Sequence, residues 1–495
     1  MIDDACKIST ARSLIRYSHR SSTIFTISIL TLLLAATNAF AIATDHQSNR
    51  NPCGITDQDA AGLSGDLSTD IQALSDYRDT IAGLLTQGKF RQLDCLANRF
   101  RSSKARFPGG TWKLHVLYEG LDSPVQYPQH PTEKDWNVLL RRLKQWVAVR
   151  PGSLTARVAL ASAYVDYAWY ARGNGYIDTV SESGSKLFEE RTAEAGRILK
   201  QASALPTRCP EWYLAMQRVA ESQGWSVAEA RALFDEGNKF EPGYYYTARV
   251  FAYYLQPKWG GEAGDTEKFT LEVADRIGGD QGDFLYFQLA TSLICGCGDE
   301  PNLSWPRIKR GFEASERQYG VSMLNLNQIA FLASRYGELD PVMADKAMAR
   351  IGEQWHDETW KNKEAFETTK KWAASYAPAA AKLHAMEEDA KTNMQTPEGL
   401  RYMASFEKTY REFVQQCVQT EGPILGKFET LTKVGATGTV EDVKIYWNGP
   451  TAMCVYQKLH TLQQAKTTPF PPPPQAPYWV RLDLDGAQFT AVASK

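Results

Sequence analysis

Short amphipathic segments that end at prolines constrain this chain more than any other feature of its sequence. Between about residues 70 and 372, apolar side chains recur at steps of three and four, which places them on one face of an α-helix. One such stripe consists of Trp136, Leu140, Leu143 and Val147. Turns that contain Pro151, Pro206 and Pro242 interrupt the pattern, because proline cannot continue a helix. The pattern therefore predicts many helices of moderate length joined by short turns.

Two of these helices have clear start signals. Thr132 and Ser226 each precede an acidic residue by three positions, which is a capping box that satisfies free backbone N–H groups at a helix start. The stretch 172–185 is rich in Gly and Ser and poor in apolar periodicity, so we predict a loop inserted between two helices there.

Internal similarity indicates that the helices repeat as pairs. Two helices that follow proline turns share the tripeptide Thr-Ala-Arg, at 155–157 and 247–249. Pro210 and Pro242 are about 32 residues apart, close to the tetratricopeptide period of ~34 residues. We therefore predict a mainly α protein with a tetratricopeptide-like α-solenoid over 71–390. An irregular all-α domain without true repeats is the alternative.

The first 43 residues have the organisation of a secretory signal peptide. A basic region precedes the apolar run 24–36, which at about 13 residues is shorter than the ~20 needed to span a bilayer. Ala41 and Ala43 end two small-residue cleavage sites. We predict a signal peptide over 1–43, a flexible segment over 44–70, and a periplasmic or secreted mature protein without a stable membrane span. An uncleaved anchor is the alternative.

Cysteine usage agrees with export. Removal of Cys6 with the signal leaves seven cysteines, most of which should pair in an oxidising compartment. We predict the bridges Cys53–Cys95 and Cys417–Cys454, and a third from Cys209 to Cys295 or Cys297. Because the number is odd, at least one cysteine stays free or pairs with another molecule.

The pattern changes after about residue 390. A period of two over 443–447, and again over 478–485, indicates half-buried strands. Between them, apolar residues over 452–462 recur at the spacing of a short helix, and the prolines within 469–474 require an extended chain. The order strand, helix, strand predicts a small α+β domain over 391–495.

Four segments between residues 136 and 259 have a distinctive composition. They read YAWYARGNGYIDTV, LFEERTAEA, CPEWYLAMQRVAESQGW and YYLQPKWGG. In these segments the chain resembles a bacterial family catalogued as domain of unknown function 4034. The resemblance covers about half of the mature chain and implies a tetratricopeptide-like helical array. Because that family has no assigned activity, the resemblance implies nothing about chemistry.

The C-terminal stretch 431–485 has a second resemblance. Its features are the strand GTVEDVKIYW, the amphipathic helix after it, a Phe before prolines in PFPPPP, and the final strand YWVRLDLD. In order and spacing these are similar to the C-terminal domain of TonB-type energy transducers. Such transducers keep a membrane anchor and a long proline-rich spacer, which are features that this sequence lacks. The resemblance therefore implies the fold and not the energy coupling.

Catalytic motifs are not recognisable in the sequence. No two histidines have the i, i+4 spacing that places two metal ligands on one helix face, and there is neither a Gly-x-Ser-x-Gly elbow nor a Walker phosphate loop. Cys295 and Cys297 suit redox exchange or soft-metal binding, but one intervening Gly lacks the geometry of a Cys-x-x-Cys motif, which favours disulfide bonding. We therefore predict no catalytic residue, no cofactor and no metal.

Aromatic residues near two helix ends are the best candidates for a binding surface. Trp169, Arg172 and Tyr176 lie at one helix–loop junction, and Tyr253 and Trp259 lie in a later pair. Tyr and Trp give a large contact area at low entropy cost, and the concave face of a helical array commonly binds extended ligands. The alternative is that these side chains fill the core between repeats.

These features together predict a non-catalytic, exported binding or scaffold protein of the cell envelope that recognises a protein or peptide partner. The net charge of -2, from 55 basic and 57 acidic residues, provides no field to hold a polyanion, which argues against nucleic acid as a partner. The alternative is an envelope hydrolase or redox protein whose site is built from dispersed residues.

Overall fold

The computed structural model describes most of the chain after residue 52. The described residues are 53–63, 70–124, 131–173, 179–294, 300–336, 339–424, 427–446, 449–485 and 488–489. The predicted signal peptide, 1–43, lies outside them, as do Tyr176, Cys295 and Cys297. The described part is mainly helical, with a small three-stranded antiparallel sheet near its C-terminal end. The chain divides into two compact units, Met1–Lys371 and Trp372–Lys495, whereas the sequence predicted a change at 390/391.

The first unit contains the helices α1 to α16 and the beginning of α17. Their bounds are α1 Asp57–Gly62, α2 Asp70–Thr86, α3 Phe90–Ser103, α4 Lys113–Glu119, α5 Glu133–Val149, α6 Leu154–Arg172, α7 Glu182–Ala202, α8 Pro210–Ser222, α9 Val227–Phe240, α10 Tyr246–Tyr254, α11 Asp265–Ile277, α12 Gly279–Leu293, α13 Trp305–Tyr319, α14 Met323–Arg335, α15 Pro341–Ile351, α16 Asp357–Trp360 and α17 Lys363–Met394. A 3₁₀ turn, Pro108–Gly110, precedes α4.

Helix boundaries follow the sequence signals closely. Both predicted capping boxes are present, at Thr132 before α5 and at Ser226 before α9. Helices α5 and α9 end at Val149 and Phe240, shortly before the prolines that stop them. The predicted loop 172–185 is shorter than expected, because Ser181 caps α7 through the backbone N–H of Gly184, and α7 begins at Glu182.

The helices from α5 to α15 contact one another in a regular order. Each contacts the next along the chain, and the even-numbered helices also contact one another in sequence from α6 to α14. The even-numbered helices are therefore flanked by neighbours on more than one side. In α6 this explains the alanine content, since Ala156, Ala159 and Ala163 are fully buried and their small side chains permit close packing.

Residues 104–119, which we call the inner segment, lie against the N-terminal halves of the even-numbered helices. Trp112 donates its indole N–H to the carbonyl of Gly243 at 3.0 Å, immediately before α10. His115 Nδ1 lies 3.3 Å from Glu211 Oε2 in the first turn of α8. The ring of His115 stacks on Tyr246, with centroids 3.6 Å apart. The inner segment therefore covers the end of the array at which these helices begin.

The turn before Trp112 requires glycine because it approaches α12 and α14 closely. Gly109 and Gly110 have φ values of +76° and +94°, a region that other residues rarely adopt. A Cβ on Gly109 would lie 2.4 Å from Ser322 Cβ, and one on Gly110 would lie 2.6 Å from the ring of Phe284. The two glycines therefore allow the inner segment to reach the last helices of the array.

Asp70 fixes the start of α2 to the start of α14. Its Oδ2 accepts a hydrogen bond from the Ser322 hydroxyl at 2.6 Å, and its Oδ1 accepts one from the backbone N–H of Met323 at 2.5 Å. A carboxylate at a helix N-terminus satisfies free N–H groups and complements the helix dipole. The N-terminal helices are thus integral to the unit. Within 44–70, predicted to be flexible, Cys53 forms a disulfide with Cys95 of α3, and α1 is helical.

The second unit surrounds a sheet of order β2-β1-β3. The strands are β1 Lys427–Val434, β2 Val440–Ile445 and β3 Tyr478–Asp485, and its helices besides α17 are α18 Pro397–Glu421 and α19 Pro450–Gln464. β1 pairs antiparallel with both neighbours. One face of the sheet packs in a core with α18 and α19, where Cys417 and Cys454 form the second predicted disulfide. Met386 and Ala390 pack against Leu431 and Trp479 on the other face.

Among the residues that the structure describes, none of the helices combines the length and the apolar character needed to cross a bilayer.

Candidate functional site

Four of the five predicted binding residues, three aromatic side chains and one cation, lie together at the C-terminal ends of α6 and α10. The rings of Trp169, in the last turn of α6, and Trp259, after α10, meet edge to face with centroids 6.2 Å apart. Tyr253 lies 5.8 Å from Trp259, and Phe188 of α7 lies 5.0 Å from Trp169. We call these four residues the aromatic cluster. Tyr176, the remaining predicted residue, lies outside the described residues.

Cationic side chains border the aromatic cluster. The Arg172 guanidinium lies 5.2 Å from the ring centroid of Trp169, and the Lys258 ammonium lies 5.2 Å from that of Tyr253. Burial lowers the pKa of Arg172 from its ordinary value. Both contacts are cation–π interactions, which orient each ring and its neighbouring charge. The predicted binding residue Arg172 therefore borders the aromatic cluster.

A tight turn after α10 brings Trp259 to this position. The backbone N–H of Trp259 donates to the carbonyl of Gln256 at 2.9 Å. A Cβ on Gly261 would lie only 1.9 Å from the carbonyl oxygen of Leu255, so the backbone passes directly over the end of α10. Gly260 has a φ of +150°. The glycines in the sequence KWGG are thus required to fold Trp259 back towards α6.

Trp259 also carries an unpaired donor. Its indole N–H is buried and has no hydrogen-bond partner in the part of the chain that the structure describes. The side chains of Trp169, Tyr253 and Trp259 are only partly buried. An unpaired buried donor is uncommon in folded proteins and calls for an explanation such as a missing ligand or water. The aromatic cluster therefore combines partly exposed, flat apolar surface with a buried donor that has no partner among the described residues.

Carboxyl groups on α6 and α8 adjoin this region, and the sequence did not single them out. The side chain of Glu221, in the last turn of α8, makes no hydrogen bond or ion pair with any described residue. Burial raises the pKa of Glu221 to about 7, although the nearby charge of Arg218 opposes this. Arg218 forms an ion pair with Asp166 of α6. Burial, followed by the Glu221 and Glu229 carboxylates, raises the pKa of Tyr254, the last residue of α10.

Replacing Glu221 with glutamine should stabilise the protein at alkaline pH and not at acidic pH. A carboxyl whose folded pKa is raised from about 4.5 to about 7 adds stability below pH 4.5 that is lost as the pH rises through 7. We expect the variant to gain about 1–3 kcal/mol relative to the wild type between pH 4.5 and pH 8. Urea unfolding at several pH values measures this gain. The exposed Glu190→Gln on α7 is the control, and an equal pH profile for both variants would contradict the assignment.

The predicted bridge from Cys209 to Cys295 or Cys297 is wrong. Cys209 is a free, buried thiol at the start of α8. Its sulfur lies 3.6 Å from the hydroxyl of Tyr118 and 3.8 Å from Arg101 Nη1, so the neighbouring helices enclose it. Burial raises the pKa of the Cys209 thiol, which therefore stays protonated and is a poor nucleophile.

The site offers recognition chemistry more clearly than metal chemistry. In the ranges that the structure describes, no group of three or more His, Cys, Asp or Glu side chains is placed to hold a metal ion.

No protein-family model, curated protein or solved structure matches the chain. The resemblances to domain of unknown function 4034 and to the TonB C-terminal domain therefore stay predictions.

Proposed function

We propose that this protein is a non-catalytic, exported binding or scaffold protein of the cell envelope that recognises a protein or peptide partner through the aromatic cluster. The observation that carries the proposal is the contact between Trp169 and Trp259, which lie 90 positions apart in the sequence and are both only partly buried. A partly exposed ring surface of this kind anchors partner side chains.

The order of helix contacts supports a tetratricopeptide-like solenoid as the framework. Contacts between each helix and the next, with a second series among the even-numbered helices, are what stacked helix pairs produce. The inner segment covers the N-terminal halves of the even-numbered helices, as Trp112 and His115 demonstrate. The partner surface is therefore placed at the opposite ends of α6 and α10, where the aromatic cluster lies.

Two disulfides support an extracytoplasmic location. Cys53–Cys95 and Cys417–Cys454 persist in oxidising compartments, whereas cytosolic proteins rarely contain such bridges. This agrees with a signal peptide over 1–43 and a periplasmic or secreted mature protein. The C-terminal unit, with its TonB-like order of strand, helix and strand, provides a second surface for the same assembly.

Replacing Trp169 or Trp259 with alanine should weaken partner binding about tenfold to a hundredfold without unfolding the protein. Peptides selected from a random displayed library on the wild-type protein serve as the probe, and fluorescence anisotropy gives their dissociation constants. Trp355→Ala is the matched control, because Trp355 is also a partly buried tryptophan of the first unit. Selected peptides that bind both cluster variants and the wild type equally, or a failure to select any, would refute the proposal.

A hydrolase is the second candidate, because two carboxyl groups beside the aromatic cluster have different surroundings. Burial raises the pKa of Glu221 to about 7, so this carboxyl is about half protonated near neutral pH, whereas Asp166 forms an ion pair with Arg218. A carboxyl whose pKa lies near the working pH suits a general acid or base. Hydrolysis of chromogenic glycosides or peptides by the purified protein, abolished in Glu221→Gln, would establish this function in place of the first.

A further inference from the structure

A surface pocket of about 590 Å³ lies along α3, on a part of the first unit that the proposed function does not use. Arg91 and Arg99 line it from two positions that are two helical turns apart, and Arg150 lines it from the end of α5. The disulfide between Cys53 and Cys95 forms part of the wall. Three guanidinium groups thus border one open pocket.

The acceptors in this pocket are already occupied. Asp94 accepts hydrogen bonds from Arg150 Nε and from the hydroxyl of Ser153. The side-chain oxygen of Asn98 accepts from Arg101 Nη2, and the hydroxyl of Ser102 donates to the backbone carbonyl of Asn98. The lining therefore has little capacity left to accept hydrogen bonds from a ligand.

The donors, in contrast, are available. The side chains of Arg91 and Arg99 make no hydrogen bond or ion pair with any residue that the structure describes, and both are exposed. Arg150 uses Nε for Asp94, which leaves its two terminal nitrogens for another acceptor. The side-chain amide of Asn98 likewise has N–H groups without a partner among the described residues. Since Asp94 offsets the charge of Arg150, the pocket keeps about two uncompensated positive charges.

We propose that this pocket binds a phosphorylated ligand. A lining with free guanidinium and amide donors and few free acceptors matches a group that has several oxygen acceptors and no hydrogen to donate. Guanidinium groups form paired hydrogen bonds with phosphate oxygens, and two uncompensated charges match a dianion better than a monoanion. The phosphate belongs either to a small soluble molecule or to a lipid headgroup.

Isothermal titration of the full mature protein with inorganic pyrophosphate, at constant ionic strength, tests the proposal. We expect saturable binding of one equivalent, weakened at least tenfold by Arg91→Gln and by Arg99→Gln, and lost in the double variant. Orthophosphate should bind less tightly than pyrophosphate. Arg141→Gln is the control, because Arg141 is an exposed arginine on α5 that does not line the pocket. Arg91, Arg99 and Arg141 are all exposed, so the thermal stability should not change in any of these variants.

Sedimentation with vesicles separates the two sources of phosphate. Phosphatidylcholine vesicles with and without phosphatidic acid are compared for the wild type and for the Arg91→Gln, Arg99→Gln double variant. If pyrophosphate binding depends on the two arginines, the ligand is a soluble molecule. If only vesicle binding depends on them, the ligand is a lipid headgroup. If neither probe binds, or if both bind the double variant and the wild type equally, the proposal is overturned.

Discussion

Replacing Trp112 with alanine should lower the free energy of unfolding of the first unit by about 3–5 kcal/mol. The side chain is 1% exposed and lies where the inner segment meets α10. Its ring packs edge to face against Tyr244 with centroids 5.0 Å apart, and the guanidinium of Arg106 lies 4.4 Å from its ring centroid on another side. Alanine would leave a cavity, and the surrounding helices relax only partly into such a space.

Urea unfolding followed by far-ultraviolet circular dichroism measures this loss. Trp112→Phe is the graded control, because it keeps one aromatic ring in place and loses the hydrogen bond from the indole N–H to Gly243 and only part of the ring volume. The phenylalanine variant should lose about 1–2 kcal/mol. If alanine costs no more than phenylalanine, the inner segment does not hold the array together, and the N-terminal halves of the even-numbered helices are open to a partner after all.

Local features of the fold were predictable because they depend on neighbouring residues. The caps at Thr132 and Ser226 and the stops before Pro151 and Pro242 depend on hydrogen bonds and steric limits within a few positions. The same holds for β3, in which Tyr478, Val480, Leu482 and Leu484 are all buried. In each case the alternation or the cap is visible within a short window.

β1 was missed because its buried face is only half apolar, with Phe428 and Val434 at its ends and two threonines between them. Thr430 and Thr432 are fully buried in the central strand, so the hydrophobic alternation that indicates a strand is absent there. Such a strand becomes recognisable only once its two partners are in place on either side.

The contacts of the inner segment and of Asp70 were not predictable, since they join residues that are far apart in the sequence, from 91 positions for Tyr118 and Cys209 to 252 for Asp70 and Ser322. Asp70 caps α14 through Ser322, and Trp112 reaches Gly243, without any local signal in the sequence. The same contacts explain the error at Cys209, whose thiol lies against Tyr118 and Arg101 of the N-terminal helices and not near a second cysteine of the described chain.

The candidate site was predictable only in part. Trp169, Arg172, Tyr253 and Trp259 were chosen as aromatic or cationic residues near helix ends, and the structure brings them together. Glu221 was overlooked because a single glutamate in an amphipathic helix gives no signal. Its significance comes from burial beside Tyr254 and from the absence of a partner among the described residues, both of which are properties of the packed molecule.

Removing the disulfide of the second unit by Cys417→Ala and Cys454→Ala should lower the free energy of unfolding of that unit by about 3–4 kcal/mol. The two cysteines are 37 residues apart in sequence and join α18 to α19. The bond restricts the unfolded chain, and its loss returns the entropy of closing that loop. Cys417 is fully buried, so alanine avoids placing an unpaired hydroxyl in the core.

Thermal unfolding in oxidising buffer measures the effect, with Cys53→Ala and Cys95→Ala as the matched control. That bridge has a similar separation, 42 residues, and lies in the first unit, so its loss should shift the other transition by a similar amount. Reductant should lower the wild type to the level of the variants. Should the wild type and the Cys417→Ala, Cys454→Ala variant unfold alike in oxidising buffer, the bridge does not form in solution, and the argument for an extracytoplasmic location loses half of its structural support.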